Sequence, residues 1–498
     1  MAKVVVIGAG MGGMAVAARL AVKRHEVTVV EQAPTYGGKL GSFERDGFVF
    51  DTGPSLLTIP AVYRDLFNKT GGPLEDAVEL VDLEPAFGYR FPDGSRVEMP
   101  GVDAGMCAAV LGEALGGTAE ADWRAFMRRA ADIWQVTRRP FLESPLNGPR
   151  DLIPLARNVS DVRTVAPFTS LRGLAKQYLH DPRLRMLVDR YATYTGSDPR
   201  KAPAALATVP YVEQTFGAYH VAGGVRRLAD ALHDRTLERG VAYRFGTDVA
   251  EVLTDDVRAT GVLLTTGERI DADVVVANAD ATHLYRDLVR DPRASEPLAR
   301  LRRATPSLSG FVLLLAVRGR TPGLLHHNVW FPADYDAEFD SIFGAHPQPV
   351  DDPTVYVCAP DDDAMRPDAD HESWFVLVNA PRHSTTGDRG TVDWTVPGLA
   401  QRYRDRILEV MAARGYDVRD RLLWSEIRTP ADLEHSTRAP GGSIYGTSSN
   451  GARAAFLRPA NASPIPGLFL VGGSSHPGGG LPLVGMSAEI VANLVGRA

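Results

Sequence analysis

Apolar and polar positions alternate along this chain in blocks that read as strands at both ends and helices in the middle. Lys3-Val4-Val5-Val6-Ile7 is a continuous apolar run, too short for a helix, that enters a glycine-rich turn at Gly8. Residues 27–31, Val-Thr-Val-Val-Glu, repeat the strand pattern and end on an acid. Ser95–Pro100 alternates like an edge strand. From about 105 to 220 the spacing turns helical, with Trp123, Phe126, Ile133 and Trp134 on one face, and Asp181-Pro182 marks a helix start. Gly223-Gly224 opens another helix that runs to Gly240. Strands are predicted over 241–245, 249–253, 261–265 and 273–279, and again at Phe311–Val317 and Trp374–Val378. The chain closes with an apolar strand, Gly467–Gly473, a loop through Gly478-Gly479-Gly480, and a helix from Pro482 to Val495.

Strand, glycine turn, helix, second strand and terminal acid are the parts of a dinucleotide cradle. Gly8 permits the tight turn, Gly10 lets backbone approach a pyrophosphate, and Gly13 lets helix and strand pack closely. The helix N-terminus offers free N–H groups to the phosphates, and Glu31 is placed to accept from a ribose diol. Gly37-Gly38 supplies a further close backbone approach. A nicotinamide enzyme needs one such element. The second glycine-ended strand and helix, at Gly472-Gly473 and Gly478–Gly480, fits an extended FAD whose ring lies near the closing helix. The fold expected is α/β, a Rossmann-like FAD-binding domain with inserted α+β segments. Residues 1–104, 221–285 and 421–498 form the discontinuous FAD-binding domain, 105–220 a helical insert, and 286–420 a mixed strand-helix substrate-binding segment.

At 498 residues the chain has room for about three domains, and 44% hydrophobic with 23% charged residues is ordinary for a globular protein. A net charge of −7 speaks against a nucleic-acid partner. Two distant cysteines, Cys107 and Cys358, support neither a disulfide framework nor a cysteine zinc site, which points to a reducing, cytoplasmic compartment. The N-terminal apolar run flows straight into the glycine turn and does not read as a signal peptide. Phe311–Val317 is the longest other apolar stretch, far short of a bilayer span.

Motifs along almost the whole length resemble the bacterial-type phytoene and carotenoid desaturases, a group of amine-oxidase-like flavoproteins. They are Gly8–Gly13, Glu31 with Gly37-Gly38-Lys39, Asp51-Thr-Gly-Pro54, Tyr194–Pro199, His326–Phe331, Ile444–Asn450, Phe456–Asn461 and Val471–Gly480. The last is closest in form to hydroxycarotenoid 3,4-desaturases and diapocarotenoid desaturases and oxidases. The resemblance implies Gly8, Gly10, Met11, Gly12, Gly13, Glu31, Gly37, Gly38, Lys39, Val249, Gly472, Gly473, Gly479, Gly480 and Leu481 as FAD-binding residues. It implies a flavin that removes two hydrogens from adjacent carbons of an acyclic carotenoid and is reoxidised by quinone or oxygen. An insoluble substrate together with the arginine clusters at 124–129 and 138–139 implies peripheral contact with a membrane surface. His326, Trp330 and Tyr194 are candidates to line the substrate space. His476 stands beside the expected flavin, either touching the ring or moving a proton, or simply hydrogen-bonded to loop backbone. His326 and His327 are expected to point to opposite faces of a strand, and no third ligand at a usual spacing suggests a metal. Within the same fold, a carotenoid oxidase, ketolase or isomerase is the alternative, and a non-catalytic isoprenoid-lipid carrier is the alternative from outside catalysis.

Overall fold

The computed structural model describes residues 1–146, 148, 151, 153, 158–451, 454 and 458–498. Five parallel strands form its nucleotide-side sheet, in the order Ala242–Arg244, Glu26–Val30, Lys3–Ile7, Val274–Ala277, Leu468–Leu470. The valines of the central strand are buried on both faces, which a parallel sheet requires because connections cover both sides. One face packs on the helix Met11–Val22, itself against the closing helix Leu481–Val495 and the helix Arg226–Glu238. The other face is covered by an antiparallel meander, Val249–Thr254, Ala259–Leu264 and Arg269–Asp271. The last of these strands is too short and polar to show in the hydrophobic pattern.

A second, seven-stranded sheet runs in the order Leu422–Arg428, Ser309–Arg318, His371–Ala380, Val355–Cys358, His327–Trp330, Phe87–Arg90, Arg96–Met99. Three of these strands lie in segments that the sequence reading gave to the FAD-binding domain: Phe87–Arg90 and Arg96–Met99 within 1–104, and Leu422–Arg428 within 421–498. Two are claimed by distant partners, Phe87–Arg90 by His327–Trp330 and Leu422–Arg428 by Ser309–Arg318, and Arg96–Met99 joins through its hairpin with Phe87–Arg90. Local patterning carries no information about such pairing.

Alternation sorts this sheet's side chains. Phe87, Tyr89, Val329 and Phe331 face the helices Ala119–Thr137 and Pro182–Thr193, with Trp123, Phe126, Leu187 and Tyr191 in the same core. Phe311, Trp330 and Trp374 face the helix Leu399–Ala413 on the opposite side. Asp181 caps the helix Pro182–Thr193 by accepting from the Arg183 N–H at 2.8 Å, and proline at its first turn fixes the entry. Tyr191, near the helix's C-terminal end, and Tyr194, just after it, pack against each other at 5.4 Å between ring centroids.

Candidate active site

The opening turn is built so tightly that side chains are excluded. A Cβ on Gly13 would lie 2.1 Å from the Gly8 carbonyl oxygen, and Gly8 itself has φ +95°. Gly37 donates its N–H to the Ala9 carbonyl at 2.8 Å, and a Cβ on Gly38 would come within 3.2 Å of the Gly10 Cα. Glu31 is buried, its carboxylate accepting from the Ala9 N–H at 2.6 Å and the Ala33 N–H at 2.8 Å. It thus braces the turn with one lone pair on each oxygen and keeps others for a ligand hydroxyl. Thr247 donates to the Glu31 carbonyl, bringing the segment before Val249 alongside; Val249 is itself buried against Val5, Ile7 and Val30. Met11 and Gly12 begin the following helix and are buried.

Asn278, which sequence reasoning passed over, joins the two glycine elements. Its Nδ2 donates to the Val471 carbonyl at 2.9 Å. Added Cβ atoms on Gly10 and Gly12 would meet its amide at 2.6 and 2.7 Å, and one on Gly472 at 2.4 Å. One amide side chain thus fills the space between both turns, and the glycines are the residues that leave it room. The signal was an asparagine ending a strand, directly after Val274–Ala277.

Two half-buried cations frame the closing loop. Lys39 Nζ donates to the Ser443 and Ile444 carbonyls at 3.0 and 2.7 Å, and burial lowers its pKa to about 8. Arg458 donates to the carbonyls of Tyr445, Thr447 and Gly473, and burial lowers its pKa to about 10. Phe456 and Leu457 of that motif lie outside the described residues. The 443–447 strap is thereby clamped, with the Tyr445 ring against Gly479, where a Cβ would sit 2.4 Å from the ring. Among the described residues a Cβ on Gly473 would meet only the Gly479 Cα, at 3.4 Å, and Gly480 opens the helix at φ +104° with no described atom within 4 Å of an added Cβ. Leu481 is buried and accepts from the Tyr63 hydroxyl at 3.0 Å. The glycine cradle, the braced acid and the helix N-terminus fit an extended FAD.

His476 is buried, with its Nε2 3.0 Å from the Ser144 carbonyl, which makes that nitrogen the protonated one. Its own carbonyl accepts from Asn461 Nδ2 and Ser487 Oγ. Burial lowers its pKa to about 4, so the ring is neutral at pH 7. The residue ties the cofactor loop to the 144 segment.

The other candidates separate. Tyr194 lies in a buried group with Tyr191, Glu213 and Arg190; Tyr191 donates to Glu213 at 2.6 Å. Trp330 does not line this space. It stacks on Tyr416 at 4.1 Å in the core under the helix Leu399–Ala413, because strand alternation turns it away from His327. His326 and His327 do not diverge as expected: their rings lie 4.6 Å apart, because the strand begins at His327 and leaves His326 outside the pleat. Register also sets Cys358 directly opposite His327, so the two imidazoles and the thiol gather within 4.8 Å. The spacing argument against a third ligand missed this cross-strand neighbour. His327 is pushed well below the usual imidazole range by burial, and Tyr356 is 2.8 Å from its Nδ1.

Residues 11–495 match the family described as flavin containing amine oxidoreductase. The hydroxyneurosporene desaturase of Rubrivivax gelatinosus is 35% identical, with 98% of this chain and 92% of that protein covered. The 4,4'-diapolycopene oxygenase of a Methylomonas species is 32% identical over 99% and 98%. Among solved structures, a putrescine oxidase variant superposes with a TM-score of 0.67 at 15% identity, over 99% of each chain. The chain belongs to the flavin-containing amine oxidoreductase family, in its carotenoid desaturase group, and takes FAD as its cofactor.

Proposed function

We propose that this protein removes two hydrogens from adjacent carbons of an acyclic carotenoid, extending its conjugation. The observation that carries the reading is the position of Tyr445. One side of it closes on Gly479 in the cofactor loop, and the other meets Gly196 beside the Tyr191–Tyr194 group. Tyr445 thus links the cofactor loop to the aromatic side chains carried by the helix Pro182–Thr193 and the seven-stranded sheet. Bound FAD supplies a two-electron acceptor for the hydride. Gly8, Gly10, Gly13, Glu31, Gly37 and Gly38 would hold its phosphates and ribose, and Lys39 and Arg458 would hold the 443–447 strap beside the cofactor loop. Quinone or oxygen takes the electrons in this reading.

Two relatives, a hydroxyneurosporene desaturase and a phytoene desaturase of Myxococcus xanthus, support desaturation. Oxidation of terminal methyl groups is the second reading, favoured by the 4,4'-diapolycopene oxygenase match. Contact with a membrane surface is supported by Phe168, 92% exposed, and Val159, 64% exposed, close in the chain to Arg163. Among the described residues no helix is long and apolar enough to cross a membrane.

Expression in bacteria that make defined acyclic carotenoids, with identification of the pigments, tests the proposal. Longer conjugation at unchanged oxygen content is the expected result. Added oxygen would establish the second reading, and an unchanged formula with altered geometry an isomerase. A colourless purified protein that takes up no FAD and changes no pigment would leave the lipid-carrier reading.

A further inference from the structure

Across the strands His327–Trp330 and Val355–Cys358 the register brings together three side chains with ligand chemistry. Cys358 stands opposite His327, and a ring nitrogen of His327, a ring nitrogen of His326 and the Cys358 sulfur lie within 4.8 Å of one another. His327 is 0% exposed and Cys358 3%. The Nε2 atoms of both histidines are buried and have no hydrogen-bond partner among the described residues. A buried imidazole nitrogen without a partner is costly, and two of them gather beside a thiol here.

The surroundings hold the rings and allow the tautomer that ligation needs. Phe87 stacks on His327 at 4.9 Å between centroids. The Tyr356 hydroxyl oxygen is 2.8 Å from His327 Nδ1 and 2.6 Å from Ser55 Oγ. That chain lets His327 donate from Nδ1 to Tyr356 and Tyr356 donate on to Ser55, which leaves the Nε2 lone pair of His327 free. On the other side the His326 ring lies 4.7 Å from that of His220, whose Nε2 is 2.8 Å from an Asp362 carboxylate oxygen. Asp362 brings negative charge to the site, whereas Arg190, its guanidinium 5.8 Å from the Tyr356 ring centroid, opposes a cation. A ligand must therefore offset part of a dication's charge. Cys358 does so, because a coordinating thiol is deprotonated outright.

We propose that His326, His327 and Cys358 form a zinc site. Two imidazoles and one thiolate suit zinc, which takes nitrogen and sulfur ligands in tetrahedral geometry. With Zn–N of about 2.0–2.1 Å and Zn–S of about 2.3 Å, the ligand atoms of a tetrahedral site stand roughly 3.3–3.6 Å apart. Closing to that spacing from at most 4.8 Å takes a movement on the order of 1 Å, within reach of a turn of the imidazole rings. Binding displaces the thiol proton to solvent. Three protein ligands leave the fourth position to water or another small ligand. The metal ties the residue that enters one strand to the end of its neighbour, apart from the glycine cradle, and asks nothing of FAD or of the polyene.

The test uses the full-length FAD-loaded protein, prepared without a metal-binding tag, stripped with chelator and titrated with Zn²⁺. Metal analysis after gel filtration is expected to give one zinc per chain. X-ray absorption at the zinc edge should show one sulfur at about 2.3 Å and two imidazole nitrogens at about 2.0–2.1 Å. Zinc at a hundredfold excess over Kd should raise the melting temperature by roughly 2–3 °C. Cys358→Ser and His326→Gln should each weaken zinc binding by more than roughly 100-fold, and Tyr356→Phe, which only orients His327, by roughly 10- to 100-fold. Cys358 is buried, and its variant can fail to fold; His326 is half-buried and precedes the strand, so its variant decides the matter in that case. A wild type that takes up no zinc at micromolar free metal overturns the site. So does a spectrum without sulfur, or binding that neither His326→Gln nor Cys358→Ser weakens. Each of these results would leave the two nitrogens to a bridging water.

Discussion

Replacing Gly13 by alanine isolates the geometry of the opening turn from its composition. In the helix Met11–Val22 alanine is the better helix former by about 1 kcal/mol, so propensity alone predicts a gain. The structure predicts a loss. The new Cβ would stand 2.1 Å from the Gly8 carbonyl oxygen, a backbone atom that cannot rotate away. Relief needs a shift on the order of 1 Å between helix and turn, and overpacking of this kind costs about 1–3 kcal/mol. The strain falls on the segment whose amides must face the cofactor, which converts to FAD binding weaker by roughly 5- to 150-fold. Titration of the FAD-free protein, followed by flavin fluorescence, measures it. Gly473→Ala is the companion: among the described residues its Cβ meets only the Gly479 Cα at 3.4 Å, an ordinary contact, so the free protein should melt as before. Lost FAD affinity in Gly473→Ala at unchanged melting temperature then reports the cofactor itself. If Gly13→Ala bound FAD like the wild type, the cradle would not lie where the glycines put it.

Other consequences follow from single contacts. Asn278→Ala removes the amide between the two turns and its bond to Val471; FAD affinity should drop by about tenfold, whereas a mere strand-end role would leave it unchanged. His476 has a folded pKa of about 4, against about 6.5 unfolded, so its contribution to stability is full above pH 6.5 and is lost as pH falls toward 4. Between pH 7 and 5 this amounts to about 2 kcal/mol, which the non-titrating His476→Gln should not lose; parallel melting curves against pH for both proteins would refute it. Phe168→Asp should weaken cosedimentation with anionic vesicles without lowering the melting temperature, and unchanged vesicle binding would remove this residue from any membrane contact.

The parts of the site legible in the sequence are those where one residue type alone meets a local demand. Gly8, Gly10, Gly13, Gly37, Gly38 and Gly472 could be read because a missing Cβ is visible in the sequence itself. Asn278 and Arg458 could not, since nothing in an asparagine after a strand or an arginine in a loop says which carbonyls it will meet. The same holds for Trp330: its place in the core depended on where the strand begins, and a one-residue uncertainty at His326 reverses every side chain after it. Cys358 joined the histidines through a cross-strand register that links residues 327 and 358. The long-range pairing of Phe87–Arg90 with His327–Trp330 likewise placed part of residues 1–104 in the seven-stranded sheet.

These non-local pairings also gather side chains from distant segments on one side of the sheet. Phe87, Tyr89, His327 and Tyr356 come from three strands far apart in sequence, yet all face the helix that carries Arg190 and Tyr194. The opposite face is also rich in aromatic side chains, Phe311, Trp330, Trp374, Trp394 and Tyr403 among them, packed with Val355 and Ile407. A charged guanidinium with an unpaired N–H is destabilising in the free protein, and it is tolerated best where a bound molecule supplies the missing partner. If that sheet–helix interface lines the polyene, variants of Tyr89 or Tyr356 should change substrate preference while FAD affinity, carried by the parallel sheet and its two turns, stays near the wild-type value.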